Sequence, residues 1–156
     1  MKSRARIVSV GAAIAATSLA LTLVSSGTAM ANSSSQHRAY KGGTLTAYVY
    51  IQDWSDWSGC GNFNTHASAT TSQPYITNNV SWDPIGIGAS ASIQGVGVSV
   101  SGNNGTSPAA TITNKKTTYA GISGVVCASW STVYVGVFST AVITSNGTLY
   151  PVSAHV

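Results

Sequence analysis

Apolar and polar side chains alternate with a period of two residues along most of the chain after residue 43. Such alternation is typical of β-strands with one buried face. No helical period occurs after residue 31, and β-branched residues, Ser and Gly dominate. The pattern therefore predicts an all-β fold: a single-domain β-sandwich of about eight antiparallel strands over residues 44–156, with a closed barrel as the alternative.

The individual strands are predicted from this period and from the turn residues between them. A tight turn at residues 114–116 separates two strands, and Pro74 separates another pair. The predicted strands are residues 44–52, 63–71, 75–82, 109–113, 117–120 and 122–128, followed by the run at 130–144 and a last strand after it.

The strongest hairpin signal is Asn146-Gly147, because Asn-Gly readily adopts the left-handed turn that joins two antiparallel strands. This turn would place Ile143 opposite Tyr150. Pro151 cannot donate a backbone hydrogen bond, which predicts that the last strand lies at the edge of a sheet.

Residues 86–102 keep the two-residue period but change phase at Gln94-Gly95. A β-bulge at Gln94-Gly95 would add one residue and reverse the faces of a single long strand. A hairpin with Gln94-Gly95 as its loop would instead place Ile93 opposite Val96. The sequence leaves both structures open.

Two long alternating runs assign large apolar side chains to core-facing positions. Ile87 belongs to the apolar face of residues 86–102, and Val133 belongs to that of residues 130–144. Because the apolar face of an alternating strand usually faces the core, the pattern predicts that Ile87 and Val133 are buried. Trp130 lies on the opposite face of its run.

Aromatic side chains occupy strand positions where solvent would be expected. Tyr48 and Tyr50 lie opposite the aliphatic face of residues 44–52. Tyr134 and Phe138 lie opposite the aliphatic face of a later strand. Either both faces of these strands are buried, or the aromatic side chains form a platform that binds a protein or a sugar.

The loop before Cys60 combines two tryptophans with two carboxylates. Trp54 and Trp57 are predicted partner-binding residues, with a carbohydrate as the alternative ligand. Asp53 and Asp56 could form a carboxylate pair like that of a glycosidase, but turn formation is the simpler role for Asp in a loop.

The first 31 residues have the features of a secretory signal peptide. Lys2, Arg4 and Arg6 precede an apolar stretch, and residues 28–31 end in the small-residue pattern of a cleavage site. We expect residues 1–31 to be removed and the protein to be secreted, with a single-pass anchor as the alternative. No later segment is apolar and long enough for a transmembrane span.

Residues 32–43, NSSSQHRAYKGG, are polar and have no period, which predicts a flexible N-terminal arm. The arm is either a simple spacer or a segment that orders on a partner. In the second case His37, Arg38, Tyr40 and Lys41 would contact that partner.

Cys60 and Cys127 are the two cysteines, and export predicts one disulfide between them. The chain offers three Asp, three His and no Glu for acid–base chemistry. Metal-binding spacings, an EF-hand loop and a nucleophile elbow are absent from the sequence. We therefore expect a protein that is not an enzyme, with no catalytic residues, no metal site and no cofactor.

The positive charge of the chain belongs largely to its first segment. The net charge is +4 for the whole sequence and falls to about +1 without residues 1–31. Binding to nucleic acid requires a dense array of cations facing the phosphates. The composition therefore argues against a nucleic-acid partner.

Three stretches carry a resemblance to known proteins: WDPIGIG at residues 82–88, GVGVSVSG at 95–102 and YAGISGVVC at 119–127. They resemble small secreted β-proteins of actinomycetes that have no assigned activity. One characterised context for such proteins is the adaptor subunit of umbrella toxin particles, which links a large scaffold to lectin subunits. The resemblance implies a lectin subunit and a scaffold as partners, with residues 32–43 as the linking segment.

The leading functional hypothesis is therefore a secreted, non-catalytic adaptor that binds other secreted proteins through its arm and an aromatic face. The first alternative is a carbohydrate-binding module that holds a polysaccharide on Trp54 and Trp57. The second alternative is a protease inhibitor that presents the loop at Cys60.

Overall fold

The computed structural model describes residues 33–53, 59–95, 98–103 and 108–156, with the backbone alone for 98–103. The predicted signal peptide, residues 1–31, lies outside these residues. Trp54, Asp56 and Trp57 also lie outside them, so the roles proposed for these side chains stay predictions.

The described residues form eight strands, and every pairing between them is antiparallel. The strands are β1 (Ser33–Tyr40), β2 (Gly43–Ile51), β3 (Cys60–Ile85), β4 (Ser90–Gly95), β5 (Val98–Asn103), β6 (Ala109–Ala128), β7 (Tyr134–Ser145) and β8 (Thr148–His155). The prediction of an all-β fold with about eight strands is confirmed. The described part of the chain has no helix that is long and apolar enough to cross a membrane.

Strands β3 and β6 are long enough to belong to both layers of a sandwich. A straight strand of the length of β3, 26 residues, would extend about 85 Å. Instead the register of β3 with β6 shifts between Ser68 and Gln73, where the pair bends. The first layer has the order β1-β2-β3-β6-β4-β5, and the second has the order β8-β7-β3-β6. Strand β2 packs against β7 and β8, which confirms the sandwich.

The continuity of β3 and β6 corrects two local predictions. Residues 63–71 and 75–82 are parts of one strand, because the bend passes Pro74 without interrupting the sheet. Residues 114–116 are not a tight turn, since Asn114 opposes Ile76 within the β3–β6 ladder.

The predicted flexible arm is also wrong for residues 33–40. These residues form β1, in which every residue from Ser33 to Tyr40 opposes a residue of β2. Six of the eight side chains in β1 are exposed on one face or the other. An edge strand with two solvated faces gives no apolar alternation, so the periodicity could not reveal it.

The structure decides between the two interpretations of residues 86–102. Strands β4 and β5 pair with Ile93 opposite Val100, so the bulged single strand is wrong. The hairpin interpretation is confirmed, but Gln94 and Gly95 are the last residues of β4 rather than the loop.

The hairpin predicted at Asn146-Gly147 is confirmed, with φ angles of 49° and 74° at the two residues. Ile143 lies opposite Tyr150, as the turn predicted. Among the described strands, β8, which contains Pro151, pairs with β7 alone, so the prediction of an edge strand is confirmed.

The core lies between the layers and includes a polar connection across it. Phe63 of the first layer meets Trp82 of the second edge to face, with ring centroids 5.1 Å apart. Asn78 is fully buried and donates through Nδ2 to Thr65 Oγ1 at 3.2 Å. Ser139 Oγ donates to Asn78 Oδ1 at 2.9 Å, so these bonds join the two layers. The polar side-chain atoms of Thr65, Asn78 and Ser139 need these partners because all three side chains are fully buried.

The disulfide between Cys60 and Cys127 is confirmed. The two residues lie directly opposite each other in β3 and β6, and their Cα atoms are 4.0 Å apart. The bond therefore ties the first residue of β3 to the end of β6, at the end of the sandwich where β2 also finishes.

Candidate functional site

The structure places His37 and Arg38 on the edge strand β1. Nδ1 of His37 lies 2.8 Å from Oγ1 of Thr46. The guanidinium of Arg38 donates to the carbonyl oxygen of Pro151 at 2.8 Å and lies 5.5 Å from the centre of the Tyr150 ring. Arg38 therefore joins β1 of one layer to β8 of the other, which gives its side chain a structural role.

Tyr40 and Lys41 lie in very different surroundings. Tyr40 is only 8% exposed, and its hydroxyl is hydrogen-bonded to Thr71 Oγ1 and to Gln73 Nε2. This burial removes Tyr40 from the predicted partner-binding surface. Lys41 is exposed in the turn between β1 and β2.

Tyr48 belongs to a row of three rings on the outer face of the first layer. We call Tyr48, His66 and Tyr119 the ring row. The rings of Tyr48 and His66 stack with centroids 4.6 Å apart, and those of His66 and Tyr119 are 5.2 Å apart. Because the rings turn their faces toward one another, they present edges to solvent and do not form a flat platform for a sugar. Burial lowers the pKa of His66 below its ordinary value of 6.5.

The other predicted aromatic residues do not join this row into one surface. Tyr50 lies half-buried in the first layer. Tyr134 and Phe138 lie on the second layer, where Phe138 stacks on His155 with centroids 5.6 Å apart. Burial raises the pKa of the Tyr134 hydroxyl above 10.0. The predicted single aromatic face is therefore divided between the two outer faces of the sandwich.

Among the described residues, the three most exposed large apolar side chains lie at one end of the sandwich, on two loops that cross between the layers, and Ile85 at the end of β3 lies beside them. Residues 86–89 connect β3 to β4, and residues 129–133 connect β6 to β7. The exposed side chains are Ile85 at 52%, Ile87 at 96%, Trp130 at 99% and Val133 at 71%. We call these four residues the apolar end.

Hydrogen bonds fix the two loops to each other. The amide of Val133 donates to the carbonyl oxygen of Ile85 at 2.7 Å. The hydroxyl of Ser131 donates to the carbonyl oxygen of Gly88 at 3.2 Å. The amide of Ser129 donates to the carbonyl oxygen of Ser90 at 3.0 Å. The apolar side chains thus project from a cross-linked scaffold rather than from two independent loops.

Gly86 is required at the point where the loops touch. Its φ of +151° lies outside the range that side-chain-bearing residues favour. A Cβ on Gly86 would lie 2.2 Å from the carbonyl oxygen of Ser131, which is far inside contact distance. Only glycine allows this close approach.

Sequence reasoning missed the apolar end. It assigned Ile87 and Val133 to core-facing positions, and both side chains are exposed. The available signal was the pair of glycines on either side of Ile87, because glycines in alternation with an apolar residue also mark a loop.

Charge is divided between the two ends of the sandwich. The two described carboxylates, Asp53 and Asp83, lie near the apolar end, one just after β2 and the other two residues before Ile85. Lys41 lies at the opposite end, beside the bend of β3, where Thr44 bonds to Thr70.

The other two lysines of the described residues lie at the bend as well. Lys115 Nζ stands 5.4 Å from the centre of the Tyr75 ring, and Lys116 follows it with a φ of 50°. An open pocket of about 370 Å³ lies here, and we call it the bend pocket. Its lining residues are Ser72, Gln73, Pro74, Tyr75, Lys115 and Lys116.

His66 packs between Tyr48 and Tyr119. Among the described residues no group of three His, Cys, Asp or Glu side chains is placed to hold a metal ion.

Comparisons with known proteins identify no family for this chain. No protein-family model matches the chain, and no curated protein matches it. Among solved structures, the chain is similar to the GAE domain of GGA2p from Saccharomyces cerevisiae, with 12% sequence identity and a TM-score of 0.36. That match covers 79% of this chain and 96% of the yeast domain.

Proposed function

We propose that the protein is a non-catalytic, exported protein-binding module that docks through the apolar end. The observation that carries this proposal is the exposure of Ile87, Trp130 and Val133 on two loops that are bonded to each other, with Ile85 exposed beside them at the end of β3. Burying one such side chain is worth about 1.5–3 kcal/mol. A protein that gains nothing from this surface would be expected to cover it or replace it with polar residues.

The rigidity of the loops makes binding favourable. Ordering a flexible loop at an interface costs free energy that offsets part of the contact energy. At the apolar end the bonds between Val133 and Ile85, and between Ser131 and Gly88, hold the loops together before a partner arrives. Tryptophan is among the residue types most enriched in the few positions that contribute most of the binding energy. We therefore place Trp130 at the centre of the interface.

Charge favours a protein partner over a membrane surface. Loops that insert into anionic lipid are usually flanked by Lys or Arg, which meet the headgroups. The apolar end has Asp53 and Asp83 nearby, while Lys41 lies at the far end of the sandwich. Carboxylates beside the apolar side chains would oppose an anionic membrane and suit a partner with a basic rim.

The disulfide and the first segment of the sequence support export, and the sequence resemblance suggests which partners to test. The Cys60–Cys127 disulfide is compatible with an oxidising compartment, and the signal peptide predicted for residues 1–31 would deliver the chain there. The resemblance of the sequence to small secreted actinomycete proteins makes the scaffold and lectin subunits of an umbrella-type toxin particle the first partners to test.

The carbohydrate alternative receives less support from the described residues. The ring row has its faces occupied by neighbouring rings, so a sugar would find no flat surface on it. Trp130 remains open to stack on a sugar, and retention on insoluble polysaccharide that is lost in Trp130→Ser would favour this alternative.

The experiment is affinity capture with a matched pair of variants. The tagged mature protein is incubated with the exported proteins of the producing cells, and stoichiometric partners are identified and purified. The dissociation constant of each is then measured for the wild type, for Ile87→Ser/Trp130→Ser, and for Leu149→Ser. Leu149 is 59% exposed but lies in β8 near the opposite end, so it controls for the loss of an exposed apolar side chain.

We expect the double variant to bind at least about 100-fold more weakly, because each side chain contributes about 1.5 kcal/mol or more. Leu149→Ser should bind like the wild type. A protein that remains an isolated monomer in this capture, or a partner that binds both variants equally, would contradict the proposal.

A further inference from the structure

A second interaction surface lies along the first part of β6, away from the apolar end. Residues 109–117 pair with β3 on one side, and no described strand pairs with them on the other. Strand β4 joins β6 only from Gly124 onward. Part of β6 is therefore the open edge of the second layer.

The direction of the backbone groups along this edge follows from one hydrogen bond. The amide of Trp82 donates to the carbonyl oxygen of Pro108 at 3.0 Å. In an antiparallel ladder, hydrogen-bonded and non-hydrogen-bonded positions alternate. Residues 110 and 112 therefore direct their N–H and C=O groups toward β3. Ala109, Thr111 and Thr113 direct theirs away from it, and we call these three residues the free edge.

Side-chain contacts join the free edge to β3, and the register between the two strands is uninterrupted here. Thr111 Oγ1 donates to Asn79 Oδ1 at 2.8 Å, and the hydroxyls of Thr77 and Thr113 lie 2.9 Å apart. Proteins usually protect such edges with proline, a bulge or lysine. Residues 109–113 contain none of these, whereas Pro108 precedes them and Lys115 follows them.

We propose that the free edge binds an extended acidic peptide segment of a partner as an added β-strand. Main-chain hydrogen bonds to Ala109, Thr111 and Thr113 would supply the binding, as in other cases of strand addition. Acidic side chains of the segment would meet the exposed ammonium groups of Lys115 and Lys116 at the bend pocket. This surface is separate from the apolar end and gives the module a second point of attachment.

The test uses two acetylated eight-residue probe peptides, one with alternating Val and Glu and one with alternating Val and Lys. Amide hydrogen exchange of the protein is recorded residue by residue with and without each peptide. The Val/Glu peptide should slow exchange at the amides of Thr111 and Thr113. It should leave Ile112 unchanged, because that amide already faces β3. The Val/Lys peptide should bind about tenfold more weakly.

Variants distinguish the contribution of the backbone hydrogen bonds to peptide binding from that of the lysine charges. Thr111→Pro removes one outward N–H and should weaken binding of the Val/Glu peptide about tenfold. Thr111→Ala removes the same side-chain bond but keeps the N–H, and it should bind like the wild type. Lys115→Ala/Lys116→Ala should weaken binding of the Val/Glu peptide about fivefold. This variant also tests the proposal if the proline variant does not fold.

Several results would overturn the proposal. These are no protection at Thr111 and Thr113, equal binding of the two peptides, or equal binding by Thr111→Pro and Thr111→Ala in folded protein. Protection of the same amides by rising protein concentration alone would assign the edge to a second copy of this chain. Because the apolar end is unchanged in every variant, these outcomes are independent of the capture experiment on Ile87 and Trp130.

Discussion

The two ends of this sandwich differ in how the chain passes between the layers. At the bend end, β3 and β6 run from one layer into the other as continuous strands, and the exposed residues include Lys41, Lys115 and Lys116. At the apolar end, the chain crosses in the two loops at residues 86–89 and 129–133. The fold alone accounts for exposed lysines at a bend, because charged side chains are usually solvent-exposed.

The same reasoning does not explain the apolar end. Ile87 and Trp130 are almost fully exposed, so they contribute little to the stability of the isolated domain. Yet their loops are tied to each other by hydrogen bonds, as between Val133 and Ile85 and between Ser131 and Gly88. Hydrogen bonds therefore fix the positions of side chains that do not themselves stabilise the fold. This contrast is the main reason to assign binding to that end.

The largest expected effect comes from removing the covalent bond near the apolar end. Cys60→Ala/Cys127→Ala should lower the free energy of unfolding by about 4 kcal/mol, because the residues are 67 apart in sequence and the bond restricts the unfolded chain. Urea denaturation measures this change. A reducing agent should destabilise the wild type similarly and leave the double variant unaffected; a loss below about 1 kcal/mol would show that the bond contributes little.

The contact between the loops gives the next largest effect. Gly86→Ala should cost about 3 kcal/mol, because the new Cβ meets the Ser131 carbonyl and the backbone angle is unfavourable. Gly88→Ala is the matched control, since its φ is +69° but nothing lies within 4 Å of its Cβ position. We expect a cost of about 1 kcal/mol there. Equal costs in thermal or urea unfolding would mean that the loops separate easily.

A buried hydroxyl tests the bend end. Tyr40→Phe removes the group that bonds to Thr71 and Gln73, and should cost about 1–2 kcal/mol. Tyr75→Phe is the control, because Tyr75 is 54% exposed. Neither change should alter binding at the apolar end. A loss of partner affinity in Tyr40→Phe that matches Ile87→Ser/Trp130→Ser would mean that the two ends are not independent.

The smallest effect concerns pH and the ring row between the ends. Burial lowers the pKa of His66, so the unfolded chain takes up a proton at a higher pH than the folded chain. Stability should therefore be complete above the ordinary pKa of 6.5 and should fall as the pH drops from there toward the folded pKa. Urea midpoints between pH 7.5 and 5 measure this, and His66→Gln should reduce the slope. An unchanged slope in that variant would remove His66 as the cause.

The sequence predicted the parts of the fold that one strand or one turn determines. Asn146-Gly147 specifies its own turn geometry, and Pro151 marks its own edge. Alternation showed that β2 has one buried face. These features depend on residues close in sequence, which is why they could be predicted.

Features that depend on the partner strand could not be predicted in this way. Whether residues 114–116 turn back or continue in β6 depends on pairing with β3, which the local sequence does not encode. The exposure of Ile87 depends on a loop more than 40 residues later, where Ser131 bonds to Gly88. Alternation reports that a residue is apolar at a given phase and says nothing about whether a second layer covers it.

The most direct test of the central claim is an exchange footprint on the complex with a captured partner. Amide exchange is measured for the free protein and for the complex. We predict slower exchange in residues 86–89 and 129–133 and no change in the turn at residues 41–42. Protection confined to the outer face of either layer, with the two loops exchanging as in the free protein, would contradict the assignment of binding to the apolar end.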